Sequence, residues 1–243
     1  MVAELPLLKL VQELMSQKIE FSIVTESGSR HESVDVESLV IAGWAGRDRE
    51  AVEKHIAELE REGITRPART PDYYQVGVNL LTTAGEIQVP GDKSTGEIEA
   101  FILKIADEIW VGIGSDHTDR KLETTSVIMS KQACPKPIGK SLWRYAEIRD
   151  HWDDIRIRSF RYVDGERILY QHGTLSANLN AEQLVNRFEQ DHGNFSNGTL
   201  MFCGTIPAEG GIQFSPSFKL EMHDPVRDMY IRHAYDIFAL PVA

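Results

Sequence analysis

Three strand-like runs separated by short polar turns most constrain what this chain can fold into. They are EIQVP at 86–90, EIEAFILK at 97–104 and EIWVGIG at 108–114. Each run combines apolar, β-branched or aromatic residues and is bounded by turn residues, which is the pattern of a β-strand. The middle of the chain is therefore predicted to form neighbouring strands of a sheet.

Strand signals continue towards both ends of the chain. FSIV at 21–24 and SVDVESLVIAG at 33–43 flank a turn-rich segment near the N-terminus. The runs at 155–163 and 167–171 bracket Asp164-Gly165, the strongest two-residue hairpin signal in the sequence. TLMFCGT, FKLEM and HAYDIFALP read as closing strands.

Helical periodicity is confined to short segments. DREAVEKHIAELEREG at 48–63 and AEQLVNRFEQ at 181–190 repeat apolar residues at helical spacing. An N-terminal amphipathic helix is predicted from Leu7, Leu10, Val11 and Leu14. Many strands with a few short helices predict a β-rich α+β fold.

Composition excludes some classes of partner and location. Lys plus Arg number 26 against 37 for Asp plus Glu, a net charge of −11, which repels phosphate backbones and predicts no nucleic-acid partner. Cys134 and Cys203 form no disulfide framework and lack metal-ligand spacing, which favours reduced thiols in a cytoplasmic protein. No run approaches the roughly 18 apolar residues of a membrane span, so no membrane partner is expected.

Carboxylates stand at the ends of two central strands. In a strand, Glu97 and Glu99 point to the same face, and Phe101 and Leu103 follow on that face. Two adjacent carboxylates at the edge of an apolar layer need a positive partner, and a hard divalent cation with oxygen ligands fits best. Asp116 can supply a third oxygen. The alternative is an edge strand whose glutamates face water.

Two further patterns have both a chemical and an ordinary interpretation. His55 and Glu58 lie three apart on the helix at 48–63, so they can form a general-base pair or a routine surface pair. In LMFCGTIPAEGGI, a strand runs into Gly204-Thr205 and further glycines, which suits close approach to a bound carboxylate or a simple turn cluster.

Taken in order along about residues 40 to 240, these pieces resemble the fumarylacetoacetate hydrolase superfamily, in particular acylpyruvate hydrolases and oxaloacetate decarboxylases. The matching segments are GRDREAVEKHIAEL, EIE, SDHTDRKL, SKQACPKP, GERILYQHGTLSANLNAEQLV and MFCGTIPAEGG. The resemblance implies a mixed β-sandwich or roll. It also implies a catalytic domain at 46–243, preceded by an N-terminal helix and strands at 1–45.

The resemblance also implies roles for individual residues. It gives Glu97, Glu99 and Asp116 as metal ligands for Mg²⁺ or Mn²⁺, with Ca²⁺ as a further candidate. His55, Glu58 and Lys131 would be catalytic residues, and the substrate-binding residues would be Arg47, Arg120 and Thr205.

Departures from the family pattern lie around the substrate pocket rather than at the metal ligands. The segment from Gly46 to His55 is about one helical turn longer than in the family pattern, Gln75 replaces a lysine, and Cys203 replaces a threonine. These changes indicate a divergent branch with an altered substrate.

The predicted function is divalent-metal-dependent hydrolysis of a carbon–carbon bond in a small 2,4-dioxo, acylpyruvate-like carboxylate. One alternative is a lyase, either a 2-oxo acid decarboxylase or a sugar-acid dehydratase. Another is a ligand-binding homologue without catalysis. A homodimer is expected from the family and from sheet edges that need cover.

Overall fold

The computed structural model describes residues 16–61 and 66–242. The predicted N-terminal helix built on Leu7, Leu10, Val11 and Leu14 lies outside these residues. The described strands are β1 Gln17–Thr25, β2 Gly28–Val36, β3 Ser38–Gly43, β4 Asp72–Val76, β5 Leu81–Thr82, β6 Glu86–Pro90, β7 Ser94–Thr95, β8 Ile98–Ile105, β9 Glu108–Ser115, β10 Thr118–Asp119, β11 Lys136–Pro137, β12 Ser141–Arg144, β13 Arg156–Val163, β14 Glu166–Thr174, β15 Thr199–Phe202, β16 Ser217–Asp224 and β17 Met229–Leu240.

The helices are few and short, as the β-rich α+β prediction requires. The α-helices are α1 Arg49–Arg61, α2 Arg120–Glu123, α3 Val127–Gln132, α4 Tyr145–Ile148 and α5 Ala181–His192. Short 3-10 turns cover Val78–Leu80, Arg149–Asp154 and Leu175–Ala177. No helix within the described ranges has both the length and the apolar character needed to cross a membrane.

An eight-stranded mixed sheet runs in the order β2-β1-β12-β9-β8-β15-β3-β4. Its centre is the antiparallel hairpin of β8 and β9. β1 runs parallel to β12 and β15 runs parallel to β3, whereas the neighbouring pairs are antiparallel. The strands nearest the N-terminus thus share one sheet with the centre of the chain, while the domain boundary at 45/46 stays a prediction.

A second, five-stranded sheet has the order β14-β13-β16-β17-β6 and packs on one face of the first. Ala100 and Ile102 of β8 share one buried cluster with Leu220 and Met222 of β16. Burial of each of the larger side chains, Ile102, Leu220 and Met222, contributes about 1.5–3 kcal/mol to folding, so this interface is a main source of stability.

The other face of the eight-stranded sheet is buried too. Phe101 and Leu103 of β8 join a second cluster with Phe21 of β1 and Phe202 of β15. β8 is therefore covered on both faces, which explains its nearly continuous apolar sequence. The predicted alternation is confirmed, because Phe101 and Leu103 point away from the face that carries Ala100.

The turn and helix-start signals are confirmed as well. Asp164 and Gly165 adopt φ values of +52° and +82°, as a two-residue hairpin between β13 and β14 requires. Asp48 caps α1 by accepting hydrogen bonds from the next turn of backbone, and Asn180 and Gln183 form a capping box at α5. The predicted stop of the first helix, Gly63, lies outside the described residues.

Candidate metal centre

The β8–β9 hairpin brings three carboxylates together at one end. Ile98 pairs with Ser115 in the ladder, so Glu97 and Asp116 lie directly beyond it, and Asp116 N donates to Glu97 O at 3.0 Å. Glu99 is the second residue of β8 and points to the same side as Glu97. Oxygens of Glu97, Glu99 and Asp116 all lie within 4.8 Å of one another.

Glu99 is the carboxylate whose burial decides between the two interpretations of the ExE pattern. β8 lies between β9 and β15, so it is not an edge strand, and Glu99 is only 2% exposed. Gly204 N donates to Glu99 Oε2 at 2.7 Å. Burial, together with the nearby Asp116 charge, raises the pKa of Glu99 well above its usual range. The water-facing alternative is therefore wrong for this residue.

Asp116 is fully buried and faces two ammonium groups. Lys131 Nζ donates to Asp116 Oδ2 in a short ionic hydrogen bond, and Lys136 Nζ lies 3.0 Å from Oδ1. Burial alone would raise the pKa of Asp116, but the two lysines outweigh burial and hold it at about 2. Lys136 directs its own hydrogen bond to His117 O at 2.6 Å. The Lys136 ammonium therefore contacts both Asp116 Oδ1 and the backbone carbonyl behind it.

Glu97 is the most accessible of the three carboxylates and is held by cations as well. Arg120 Nη2 lies 2.9 Å from Glu97 Oε1, and Lys131 Nζ lies 3.7 Å from Oε2. Thr118 Oγ1 donates to Oε2 at 3.4 Å. Arg120 and Lys131 thus both contact these carboxylates, and their roles in substrate binding and catalysis stay predictions.

The donor set fits a hard divalent cation. All three groups offer oxygen, which Mg²⁺, Mn²⁺ and Ca²⁺ prefer, and their oxygens lie close enough together to share one ion. Lys131 Nζ already lies between Asp116 and Glu97, which shows that these carboxylates attract positive charge. The three carboxylates can therefore hold a metal ion, and we call them the metal centre.

Lys136 is a member of this region that sequence reasoning missed. It is fully buried and lies in β11, between Pro135 and Pro137. Burial lowers its pKa, while Asp116 partly offsets that effect. The one signal for Lys136 in the sequence is its position between two prolines, because the residue before a proline favours an extended backbone.

Thr205 lies beside the centre, but its hydroxyl is used within the protein. Thr205 Oγ1 donates to Ile98 O at 2.9 Å and accepts from Gln171 Nε2 at 2.9 Å. Gln171 also accepts from Ile98 N at 3.0 Å and donates to Ile206 O at 2.6 Å. The buried Gln171 side chain thus joins the start of β8 to the Thr205 turn, a role that the sequence did not reveal.

The preceding Gly204 makes this turn possible. It has a φ of +95°, and a Cβ at this position would come within 2.9 Å of Ala45 Cβ. Asn178 Nδ2 donates to Gly204 O at 2.8 Å and to Thr205 O at 3.0 Å. Asn178 lies in the GERILYQHGTLSANLNAEQLV segment that sequence analysis singled out without choosing a residue.

Arg47 contacts Asn178, which holds the Thr205 turn, and pairs with Asp153 rather than with a carboxylate of the metal centre. Its Nη atoms donate to both oxygens of Asp153 at 2.6 and 2.8 Å, and its Nε donates to Asn178 O at 3.2 Å. In this arrangement the guanidinium is paired with a protein carboxylate. The role of Arg47 in substrate binding stays a prediction.

The predicted dyad lies on α1, as expected from its spacing. The backbone of His55 and Glu58 is helical, but both side chains lie outside the part of the chain that the structure describes. Their catalytic role therefore stays a prediction.

His117, Cys134 and Cys203 are buried in the packed interior rather than exposed to a ligand. The ring nitrogens of His117 lie 3.1 Å from Tyr235 OH and 2.9 Å from Ser94 Oγ, and burial lowers its pKa to about 3. Cys134 and Cys203 are buried and unbridged, and burial raises the pKa of Cys134 to about 12. His117 is therefore not an accessible base, and neither cysteine is an accessible thiolate of the kind that catalysis needs.

Comparison with known proteins supports this description of the fold. A family model described as a protein of unknown function, DUF2848, matches residues 42–235. No curated protein matches the chain in sequence.

Several solved structures superimpose on most of the chain. One, from Burkholderia cenocepacia and proposed to be a fumarylpyruvate hydrolase, has a TM-score of 0.58 at 16% identity, over 91% of this chain and 96% of its own. The yeast protein ynq8, a fumarylacetoacetate hydrolase family protein, has a TM-score of 0.58 at 15% identity, over 86% and 95%.

A third similar structure contains a metal. It is a 2-keto-3-deoxy-D-arabinonate dehydratase complexed with magnesium and 2,5-dioxopentanoate, with a TM-score of 0.60 at 13% identity, over 84% of this chain and 74% of its own. These similarities confirm the fold predicted from the sequence. The chain therefore belongs to the DUF2848 family and has the fumarylacetoacetate hydrolase fold.

Proposed function

We propose that this protein is a divalent-metal-dependent enzyme that hydrolyses a carbon–carbon bond in a small 2,4-dioxo carboxylate. The observation that carries the proposal is the set of three carboxylates whose oxygens lie within 4.8 Å at the end of the β8–β9 hairpin. The hydrolase and dehydratase descriptions of proteins with the same fold add support.

In this proposal, Glu97, Glu99 and Asp116 hold Mg²⁺ or Mn²⁺, with Ca²⁺ as the third candidate. When bound, the metal supplies Lewis-acid polarisation of the substrate's 2-oxo group. Arg120 and Lys131 add fixed positive charge that attracts an anionic substrate. Burial opposes the charge on Lys131, but the surrounding carboxylates outweigh burial and raise its pKa, so it acts as a cation rather than as a base.

Water activation is assigned to His55, oriented by Glu58 three residues later on α1. His55 takes a proton from water as the oxygen adds to the 4-carbonyl carbon of the substrate. The bond between carbons 3 and 4 then breaks, and its electron pair moves to the pyruvate half. Carbon 3 receives a proton in return, so the products are a carboxylic acid and pyruvate.

A lyase is the second candidate function. The observation that favours it is the dehydratase with the same fold and a bound magnesium ion. Such a lyase would use the same carboxylates and the same cations but would release carbon dioxide or water instead. A binding protein without catalysis is the remaining alternative, and it would retain the metal centre without a working His55.

We further propose that the protein is a cytoplasmic homodimer. Its ligand is a small carboxylate, and we expect it to bind neither nucleic acid nor a membrane. The edges of both large sheets, at β2, β4, β14 and β6, support a dimer because strand edges need cover. Sedimentation at micromolar concentration tests it: a species of 27.4 kDa would be the monomer and would contradict the dimer.

Turnover measured on the purified protein tests the proposed reaction. The substrates are acylpyruvates, oxaloacetate and 3-deoxy sugar acids, each with Mg²⁺ and with a chelator. Metal-dependent release of pyruvate and a carboxylic acid from an acylpyruvate is the expected result. Carbon dioxide or a dehydrated product would support the lyase instead.

His55→Ala separates an enzyme from a binding protein. We expect turnover to fall about 100-fold to 10,000-fold, the usual contribution of a positioned proton acceptor. Affinity for oxalate with Mg²⁺ should change little, because the carboxylates and cations of the centre remain. Glu58→Gln should lose less activity, since Glu58 only orients the imidazole. Undiminished turnover in His55→Ala would remove the dyad from the mechanism.

A further inference from the structure

A cleft of about 250 Å³ opens between the connector at 66–74 and the segment at 123–128. We call it the side cleft. Its volume is below the roughly 300–1,000 Å³ of pockets that enclose a drug-sized ligand. The side cleft therefore suits one end of a small substrate whose other end is bound elsewhere.

Two connections place the side cleft next to the metal centre. Glu123, in its wall, accepts a hydrogen bond from Arg120 Nη1 at 2.8 Å, and Arg120 Nη2 lies 2.9 Å from Glu97. Val127, also in the wall, precedes Lys131 by four residues in α3, so both lie on one face of that helix. The Arg120 side chain therefore spans the distance from Glu97 at the metal centre to Glu123 in the wall of the side cleft.

The walls of the side cleft are rich in groups that bind hydroxyls. Asp72 and Glu123 contribute carboxylates, and Thr125 contributes a hydroxyl. Tyr74 OH accepts a hydrogen bond from Trp44 Nε1 at 3.1 Å, and burial raises the pKa of Tyr74, so it keeps its proton. Carboxylates accept hydrogen bonds, whereas a protonated phenol can also donate one.

A second negative charge would find little compensation there. Arg66 is the cation among the described residues that line the side cleft, and its guanidinium lies 2.5 Å from Glu53 and 3.1 Å from Glu60. Its charge is therefore already paired with two carboxylates on α1. An anionic substrate tail would instead approach Asp72, and such a like-charge contact reduces affinity, whereas the charge of Glu123 is already paired with Arg120.

We propose that the side cleft binds the acyl end of the substrate and selects an uncharged, hydroxyl-bearing chain over a chain that ends in a second carboxylate. The substrate class is then a sugar-derived 2-oxo or 2,4-dioxo acid. This inference rests on the proposed function, because a 2-oxo acid bound at the metal centre is what directs the chain into the side cleft. Both wall carboxylates can accept hydrogen bonds from hydroxyls, and Asp72 discriminates against a second anion.

Three five-carbon ligands test the selectivity on the wild-type protein with Mg²⁺. They share a 2-oxo acid head and differ in the tail: 4-hydroxy-2-oxopentanoate, 2-oxopentanoate and 2-oxoglutarate. Displacement of oxalate, followed by calorimetry, gives the affinity of each without requiring turnover. We expect the hydroxylated acid to bind at least about tenfold more tightly than 2-oxoglutarate, with 2-oxopentanoate between them. Equal affinities, or tightest binding of 2-oxoglutarate, would overturn the proposal.

Asp72→Asn tests the wall directly. It removes one negative charge at nearly constant volume, so the preference for the hydroxylated acid over 2-oxoglutarate should shrink about fivefold. Asp35→Asn is the matched control, because Asp35 is an exposed residue of β2 paired with Lys18. An unchanged preference in an Asp72→Asn protein that still binds oxalate would overturn the proposal.

Oxalate separates this inference from the function on which it rests. Oxalate fills only the head position at the metal centre, so its failure to bind with Mg²⁺ would contradict the proposed function itself. Normal oxalate binding without discrimination among the three longer acids would contradict the inferred selectivity of the side cleft and leave the proposed function standing.

Discussion

Charge compensation around Asp116 distinguishes this centre from a simple cluster of surface acids. The carboxylate is fully buried, and burial alone would raise its pKa. Lys131 and Lys136 reverse that effect, so Asp116 remains an anion able to bind a metal. Lys131 also approaches Glu97, whereas Lys136 bonds the backbone behind the site, at His117 O. Lys136 therefore serves mainly as a fixed internal counter-charge.

We predict that Lys136→Met destabilises the folded protein by about 3–5 kcal/mol, the usual cost of removing one partner of a buried ion pair. Lys18→Met is the control, because Lys18 forms an exposed pair with Asp35 and should contribute about 1 kcal/mol or less. Urea unfolding with and without Mg²⁺ measures both. Mg²⁺ should stabilise Lys136→Met more than the wild type, since the metal replaces lost positive charge. Equal losses in the two variants would contradict this role.

Hydrogen bonds between the start of β8 and the turn after β15 hold the metal centre in place. Ile98 lies between the two glutamates, and both its backbone groups bond to side chains, N to Gln171 and O to Thr205. Gly204 of the same turn donates to Glu99. The turn after β15 and the start of β8 therefore act as one unit, with Gln171 of β14 as the cross-link.

Gln171→Met should disturb that unit without adding bulk. Loss of an outer residue that orients metal ligands usually lowers metal affinity about 10–100-fold, and we expect a decrease in that range for Mn²⁺. Gln88→Met on β6 is the control, because Gln88 is exposed. Titration calorimetry measures the affinity, and circular dichroism checks that the variant is folded. Wild-type Mn²⁺ affinity in folded Gln171→Met would exclude the cross-link.

Local patterns explain which parts of this unit were predictable. The two-residue period of a strand places Glu97 and Glu99 on one face, and the turn signals place Asp116 at the next strand end. Lys136 and Gln171 were not predictable in the same way. Their partners, such as His117 and Ile98, are distant in sequence, and buried polar contacts of this kind follow from sheet packing rather than from spacing.

The two large sheets pack on one shared core. Burial of a histidine on β17 should make the stability of this core depend on pH. His233 of β17 is half-buried, and its Nε2 has no hydrogen-bond partner among the described residues. Burial lowers its pKa to about 4, and Lys140 adds to the shift. Below the ordinary histidine pKa of about 6.5, the unfolded chain therefore binds a proton that the folded chain does not.

The free energy of unfolding should accordingly fall as the pH drops from about 6.5 to about 4, with a contribution from His233 of up to about 1.4 kcal/mol per pH unit. His233→Gln cannot titrate, so its stability should fall less over this window. Thermal unfolding of both proteins at pH 8 provides the reference, because histidine is neutral there in both states. Parallel pH profiles for the two proteins would be inconsistent with this assignment.

The proposed metal binding by the three carboxylates is the central claim about this protein, and titration calorimetry with Mn²⁺ tests it most directly. The wild type should bind one ion, and Glu97→Gln combined with Glu99→Gln should weaken binding at least about 100-fold, because two of three oxygen anions are neutralised. Glu20→Gln combined with Glu166→Gln removes the same charge from exposed strand positions and should bind as the wild type does. If the double variant at positions 97 and 99 binds Mn²⁺ as tightly as the wild type, the centre is not a metal site.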